Sequence, residues 1–159
     1  TDELTGLSNR RDMKEKLFYE TNRMATNRKP FCLLLADIDD FKQVNDNHGH
    51  DAGDLTLQAV SRVMQAALRK KDVISRWGGE EFLMLLPETS IKEGRNTASR
   101  LLKKITGHQF SIQGTVLSLS VSIGLTQYTP PEDLEKAITK ADRALYQAKS
   151  KGKCRIESV

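Results

Sequence analysis

Apolar residues at helical spacing open the chain: Met13, Leu17 and Met24 form a weak stripe that predicts a first helix over residues 9–26. Phe31-Cys-Leu-Leu-Leu-Ala is an unbroken apolar run of strand length, so it reads as a buried strand continuing into Asp37-Ile-Asp. Polar residues and glycines from Asn45 to Gly53 predict a loop around a short helical turn. Asp51 is placed to cap a long helix, with Leu55, Ala59, Val63 and Ala66 as its apolar stripe. Two β-prone runs, over 73–77 and 80–86, flank Gly78-Gly79. That is a hairpin signal in which both glycines would supply the positive φ of a tight turn. Pro87 stops the second run. A helix over 91–105 and strands over 110–112 and 116–128 follow. Alternation of Leu117, Leu119, Val121 and Ile123 makes the longer strand half-buried. Pro130-Pro131 opens a last helix running to about Lys149 and ended by Gly152, with 154–157 as a short edge strand.

A central hairpin with helices between the other strands argues for an α+β fold, a sheet layered with helices, rather than a doubly wound parallel one. No repeat, low-complexity stretch or linker divides the 159 residues, which suit a single domain over 1–159.

Composition narrows the function classes. With 38 % hydrophobic and 29 % charged residues the chain has the balance of a folded domain, not a disordered one. The longest apolar run, Phe31 to Ala36, is too short to span a bilayer, and no apolar leader opens the stretch; this domain is not expected to be membrane-inserted. Cys32 and Cys154 match no zinc spacing and are too sparse for a disulfide framework, pointing to a reducing compartment. A net charge of +4 is low for a dedicated nucleic-acid binder, and suffices to offset a polyphosphate substrate.

The candidate chemistry lies in the acids. Asp37 and Asp39 fall on one face at the exit of the buried strand, roughly 6.5 Å apart along it. Glu80 and Glu81 follow directly on the glycine turn. If the two strand ends are neighbours, the carboxylates converge and repel one another. Hard divalent cations such as Mg²⁺ relieve that repulsion. Carboxylates holding metal beside a glycine turn suit phosphoryl or nucleotidyl transfer, because glycine lets backbone N–H groups approach phosphate closely. Solvated strand ends would show the same residues. An EF-hand loop is excluded by Phe41 and Lys42, and no P-loop or dinucleotide fingerprint is present. His48 and His50 have no third ligand at zinc spacing and read as loop packing or capping, and Trp77 as a packing residue.

Five ordered segments carry a specific resemblance. Asp2-Glu-Leu-Thr-Gly-Leu-Ser-Asn-Arg-Arg, Asp37-Ile-Asp-Asp-Phe-Lys-Gln-Val-Asn-Asp with Gly49-His-Asp-Ala-Gly-Asp54, and Arg76-Trp-Gly-Gly-Glu-Glu-Phe82 resemble the signatures of GGDEF domains, the diguanylate cyclases, in the GGEEF form. Ser122-Ile-Gly and Ala141-Asp-Arg-Ala-Leu-Tyr-Gln-Ala-Lys resemble the family's closing elements.

The resemblance implies a palm-like fold similar to nucleotidyl cyclases and polymerases, a central antiparallel sheet wrapped by helices. It implies condensation of two GTP into cyclic di-GMP and two pyrophosphate, with Mg²⁺ or Mn²⁺, two ions per site. Each domain of a facing pair binds one GTP, so a second GGDEF domain is the required partner. It further implies a bacterial cytoplasmic setting, in the catalytic piece of a longer signalling protein that has room for a membrane anchor. By the same resemblance Asp37, Glu80 and the Ile38 carbonyl hold metal, and Glu81 helps to deprotonate the 3′-hydroxyl. Asn45 and Asp54 read guanine, whose N1–H and N2–H₂ donors suit a carboxylate. Lys42, Lys149 and Lys153 contact phosphate with the Gly78-Gly79 backbone. Lys153 and Cys154 stand where the family usually has Arg and Asn, and lysine lacks the bidentate fork, which lowers the expected triphosphate affinity. Arg69-Lys-Lys-Asp72, five residues before the glycines, resembles the RxxD product-inhibition site, with Arg100 as a second product-binding arginine. The rival readings are a catalytically silent GTP or cyclic di-GMP receptor, an enzyme of another nucleotide, and a purely structural module.

Overall fold

Strand β1 (Cys32–Ile38) is the middle of the molecule, and its side chains explain its unbroken apolar run. In the computed structural model, which describes residues 1–159, they alternate between two cores. Cys32, Leu34, Ala36 and Ile38 join one core cluster, while Leu33 and Leu35 join the other. A strand covered on both faces has no solvent side for polar residues to mark.

In chain order the elements are α1 (Arg10–Asn27), β1, α2 (Phe41–His48), α3 (His50–Ala67), β2 (Val73–Arg76), β3 (Glu81–Leu86), α4 (Ile91–Thr106), β4 (Gln109–Ile112), β5 (Thr115–Ser118), β6 (Val121–Gln127), α5 (Leu134–Ser150) and β7 (Ile156–Ser158). The sheet runs β2-β3-β1-β6-β7, antiparallel except for the β6–β7 pair, and β4–β5 form a separate ribbon. α3 and α4 contribute to one core, and α1 and α5 to the other. α5 lies directly on β6, where a Cβ on Gly124 would stand 2.3 Å from the Ala141 carbonyl oxygen. The α+β expectation, with a mostly antiparallel sheet, matches this architecture. No helix is long and apolar enough to cross a membrane.

Several local expectations are corrected. The polar stretch expected as a loop is the helix α2 followed at once by α3, with Gly49 (φ 91°) as the junction. Gly49, not Asp51, is the N-cap of α3, and Asp51 lies in its first turn. The core face of α3 carries Leu57, Val60, Met64 and Ala67; Ala59 and Val63 flank it, while Leu55 and Ala66 are exposed. The long strand over 116–128 is two strands, because the chain breaks at Ser120, whose carbonyl and hydroxyl both bond Asp39. β6 is buried on both faces rather than half-buried. Finally, α5 starts three residues after Pro131, capped by the Asp133 carboxylate on the Lys136 N–H.

Candidate active site

Antiparallel pairing brings the acids of two separate segments together. Asp37 lies opposite Glu81 of β3 on one side and Ser122 of β6 on the other, and the Ile38 N–H donates to the Glu80 carbonyl at 3.4 Å. Like charges directly opposite on a sheet repel. Burial raises the carboxyls of Asp37, Glu80 and Glu81 above the ordinary carboxylate range; the Asp37 charge raises the two glutamates further, and Lys149 opposes the shift in all three. The Lys149 ammonium stands 2.8 Å from both Asp37 and Asp39. Burial opposes its charge, yet the two carboxylates outweigh that and hold it firmly protonated.

No three His, Cys, Asp or Glu side chains are grouped to hold an ion by themselves. Magnesium seldom uses an all-protein cage: it keeps waters and is held by one or two carboxylates plus substrate phosphates. Asp37 and Glu80 fit that pattern, since they are mutually repelling, partly buried acids that gain from added positive charge.

The glycine turn departs from expectation. Neither Gly78 nor Gly79 has a left-handed backbone. Instead the Trp77 and Gly78 N–H groups both donate to the Glu81 carbonyl, at 2.8 and 3.3 Å. What the glycines supply is bare space: a Cβ on Gly79 would meet nothing, and one on Gly78 only the Glu81 side chain at 3.4 Å or beyond. Two arginines hold the turn. Arg10 donates to the Trp77 carbonyl at 3.2 Å and lies over the indole ring at 4.1 Å, with Trp77 packed in the core as expected. Arg76 donates to the Gly79 carbonyl at 3.0 Å and pairs with Asp2. Arg10 and Arg76 were not singled out as site residues, although both stand inside quoted motifs.

A cavity of about 430 Å³ opens beside the turn, and its lining includes Lys42, Asn45, Asp54, Gly79 and Glu80. Arg76 and His50 line it as well. Gly53 determines where Asn45 stands: a Cβ there would fall 1.8 Å from the Asn45 side-chain oxygen. Lys149 and Lys153 lie outside this lining. They do not share a helical face, because α5 ends at Ser150 and Gly152, Lys153 and Cys154 turn through left-handed backbone. That turn sets Lys153 on Asp40 while Lys149 meets Asp37 and Asp39. The Lys153–Asp40 pair is exposed, and such pairs exchange partners at little cost.

Arg69 and Asp72 lie apart from this cavity. The Arg69 guanidinium donates to Asp72 at 2.7 Å, to Thr89 at 2.8 Å and to the Pro87 carbonyl at 3.3 Å. Arg100 reaches the same end of α3, donating to the Ala67 carbonyl at 2.9 and 3.1 Å. The two arginines therefore flank one helix terminus, with the Asp72 carboxylate fully covered.

Comparison with known proteins shows the family. The family model for the diguanylate cyclase GGDEF domain matches residues 1–155. Diguanylate cyclase DgcP of Pseudomonas aeruginosa is 41 % identical over 157 residues, covering 99 % of this chain and 23 % of that protein. Response regulator PleD of Caulobacter vibrioides is 36 % identical over 156 residues, covering 96 % and 34 %. The chain thus spans about a quarter to a third of the curated relatives it matches. Among solved structures, diguanylate cyclase SiaD from P. aeruginosa, in complex with its activator SiaC, superposes with a TM-score of 0.96 at 37 % identity, over 99 % of this chain and 61 % of that one. The GGDEF domain of DgcB from Caulobacter crescentus, in complex with c-di-GMP, gives 0.95 at 28 % identity over 99 % and 94 %.

Proposed function

Because the chain belongs to the diguanylate cyclase GGDEF family, we propose that it condenses two GTP into cyclic di-GMP and two pyrophosphate. Convergence carries this reading: a guanine-reading pair, bare turn backbone and Glu80 line one cavity, and Glu80 feels the charge of Asp37. Asp54 accepts from the guanine N1–H and N2–H₂ edge, and the Asn45 carboxamide fixes the base beside it. Losing a hydrogen bond to a charged group such as this carboxylate costs about 1.5–3 kcal/mol, enough to discriminate against adenine. The turn glycines let the triphosphate lie against backbone, while Lys42, Lys149 and Lys153 offset its charge.

Asp37, Glu80 and the Ile38 carbonyl would hold Mg²⁺ or Mn²⁺, two ions per site, which lowers the pKa of the 3′-hydroxyl and neutralises phosphate charge. Glu81 accepts the 3′-hydroxyl proton, a role helped by burial, which raises its carboxyl above the ordinary range and makes it a stronger base. One cavity holds one nucleotide, so the second GTP comes on a second copy of the domain. Arg69, Asp72 and Arg100 form the product-inhibition site, where arginine can both grip phosphate and stack on guanine. Product binding there has to loosen the Arg69–Asp72 pair.

Incubation of the domain with GTP and Mg²⁺, followed by chromatography of the nucleotides, tests the reading. Cyclic dinucleotide is expected from wild type, and none from ATP alone or from Glu80→Ala. Tight binding of cyclic di-GMP without any synthesis would instead identify a receptor.

A further inference from the structure

Asp39 is 5 % exposed and accepts from four different residues. Its Oδ1 accepts from the Ser122 hydroxyl at 2.6 Å and the Lys149 ammonium at 2.8 Å. Its Oδ2 accepts from the Ser120 hydroxyl at 2.6 Å and the Cys154 backbone N–H at 3.0 Å. A carboxylate offers about four lone-pair sites, and four donors fill them. Asp37, two residues earlier on the strand, has Lys149 as its one ion-pair partner.

We propose that Asp39 is the positioning residue for triphosphate binding: it tethers the Lys149 ammonium and the Lys153–Cys154 backbone beside the acid centre and takes no metal itself. The inference rests on the cyclase reading above. The two acids of one strand end then have separate duties. Taking a metal at Asp39 would break charge-assisted bonds to two hydroxyls, an ammonium and an amide, each stronger than a neutral hydrogen bond. Asp37 can release Lys149 and remain solvent-accessible for another cation, because Lys149 stays held by Asp39 and keeps its place near the phosphates. The same carboxylate anchors the left-handed turn (Lys153 φ 65°, Cys154 φ 47°) through the Cys154 N–H, which fixes where the Lys153 side chain starts. This contact is to backbone, so it survives the presence of cysteine at position 154.

Two titrations of the domain with Mg²⁺ test the proposal, one with the non-hydrolysable α,β-methylene analogue of GTP and one with guanosine, which lacks phosphate. Asp39→Asn should weaken the triphosphate analogue about tenfold, as expected for loss of a charge-assisted bond, while guanosine binding stays within about twofold. In the Lys149→Met background, Asp39→Asn should add less than its full single-variant loss, because part of its effect acts through Lys149. Equal losses for both ligands, or losses that multiply in the double variant, would overturn it. Ser122→Ala keeps the Asp39 charge and removes one donor; it should weaken the analogue about threefold and leave guanosine alone, even if Asp39→Asn does not fold. A wild type that binds neither ligand refutes the cyclase reading, and this proposal with it, before any variant is compared.

Discussion

Gly53 shows how one missing atom can decide a binding site. It lies inside α3, where alanine would raise helix propensity by up to about 1 kcal/mol. Yet its Cβ would overlap the Asn45 carboxamide at 1.8 Å and crowd the Phe41 ring at 3.3 Å. Gly53→Ala should therefore weaken GTP binding about tenfold by displacing Asn45, with the melting temperature falling little; calorimetric titration and a thermal melt separate the two effects. The proposed acids Asp37, Glu80 and Asp54 could be picked out from the sequence because each lies inside a motif. The need for Gly53 could not, since it comes from a side chain on the neighbouring helix. Asp39 was visible as one of a pair of acids, but its bonding was not, because its four donors come from residues 81 to 115 positions away.

At the scale of elements, α1 carries a conflict that its weak stripe already hinted at. Met13, Leu17, Glu20 and Met24 share its buried face, so a carboxylate sits where helical spacing calls for an apolar residue. One oxygen of Glu20 has no hydrogen-bond partner, and Arg23 lies 3.8 Å away. Burial raises the Glu20 carboxyl above its ordinary range, Arg23 opposes the shift and Glu88 reinforces it. The folded state therefore holds this proton more tightly than the unfolded chain. Ionisation costs stability above the folded pKa, and the cost disappears once pH falls below the unfolded value. Glu20→Gln should raise the unfolding free energy by at most about 1 kcal/mol at pH 7, and by nothing near pH 3, as urea denaturation at the two pH values would show. Element boundaries were less legible than element types. The 116–128 run alternates like one strand, but it breaks at Ser120, which accepts from the Asp39 N–H and donates to the Asp39 carboxylate. The stripe on α3 was read one position off, because Leu55 and Ala59 share its spacing but face outward or to the margin of the core.

For the whole molecule, the proposed site is a cavity between α2, α3 and the glycine turn that suits one nucleotide, so the proposed reaction needs a second copy of the domain. Specific activity of the free domain should rise in proportion to its concentration in the dilute range. Fusion to a dimeric coiled coil should make it flat and higher, since a short tether sets an effective concentration on the order of millimolar. Activity measured across a dilution series for both forms decides this. The fold class was legible because a central hairpin and helices between the other strands show in local patterns. The backbone of the glycine turn was not, because hydrogen bonds from Arg10 and Arg76 shape it in place of glycine's conformational freedom.

The bond between Lys149 and Asp39 spans 110 positions of chain. Synthesis proceeds from the N-terminal end, so β1 emerges long before its counter-cation exists. Until residues 149–154 leave the ribosome, the paired acids face each other uncompensated, and the strand that bears them has no β7 beyond β6 to complete the sheet. A nascent or C-terminally clipped chain is therefore expected to bind the triphosphate of the proposed substrate poorly.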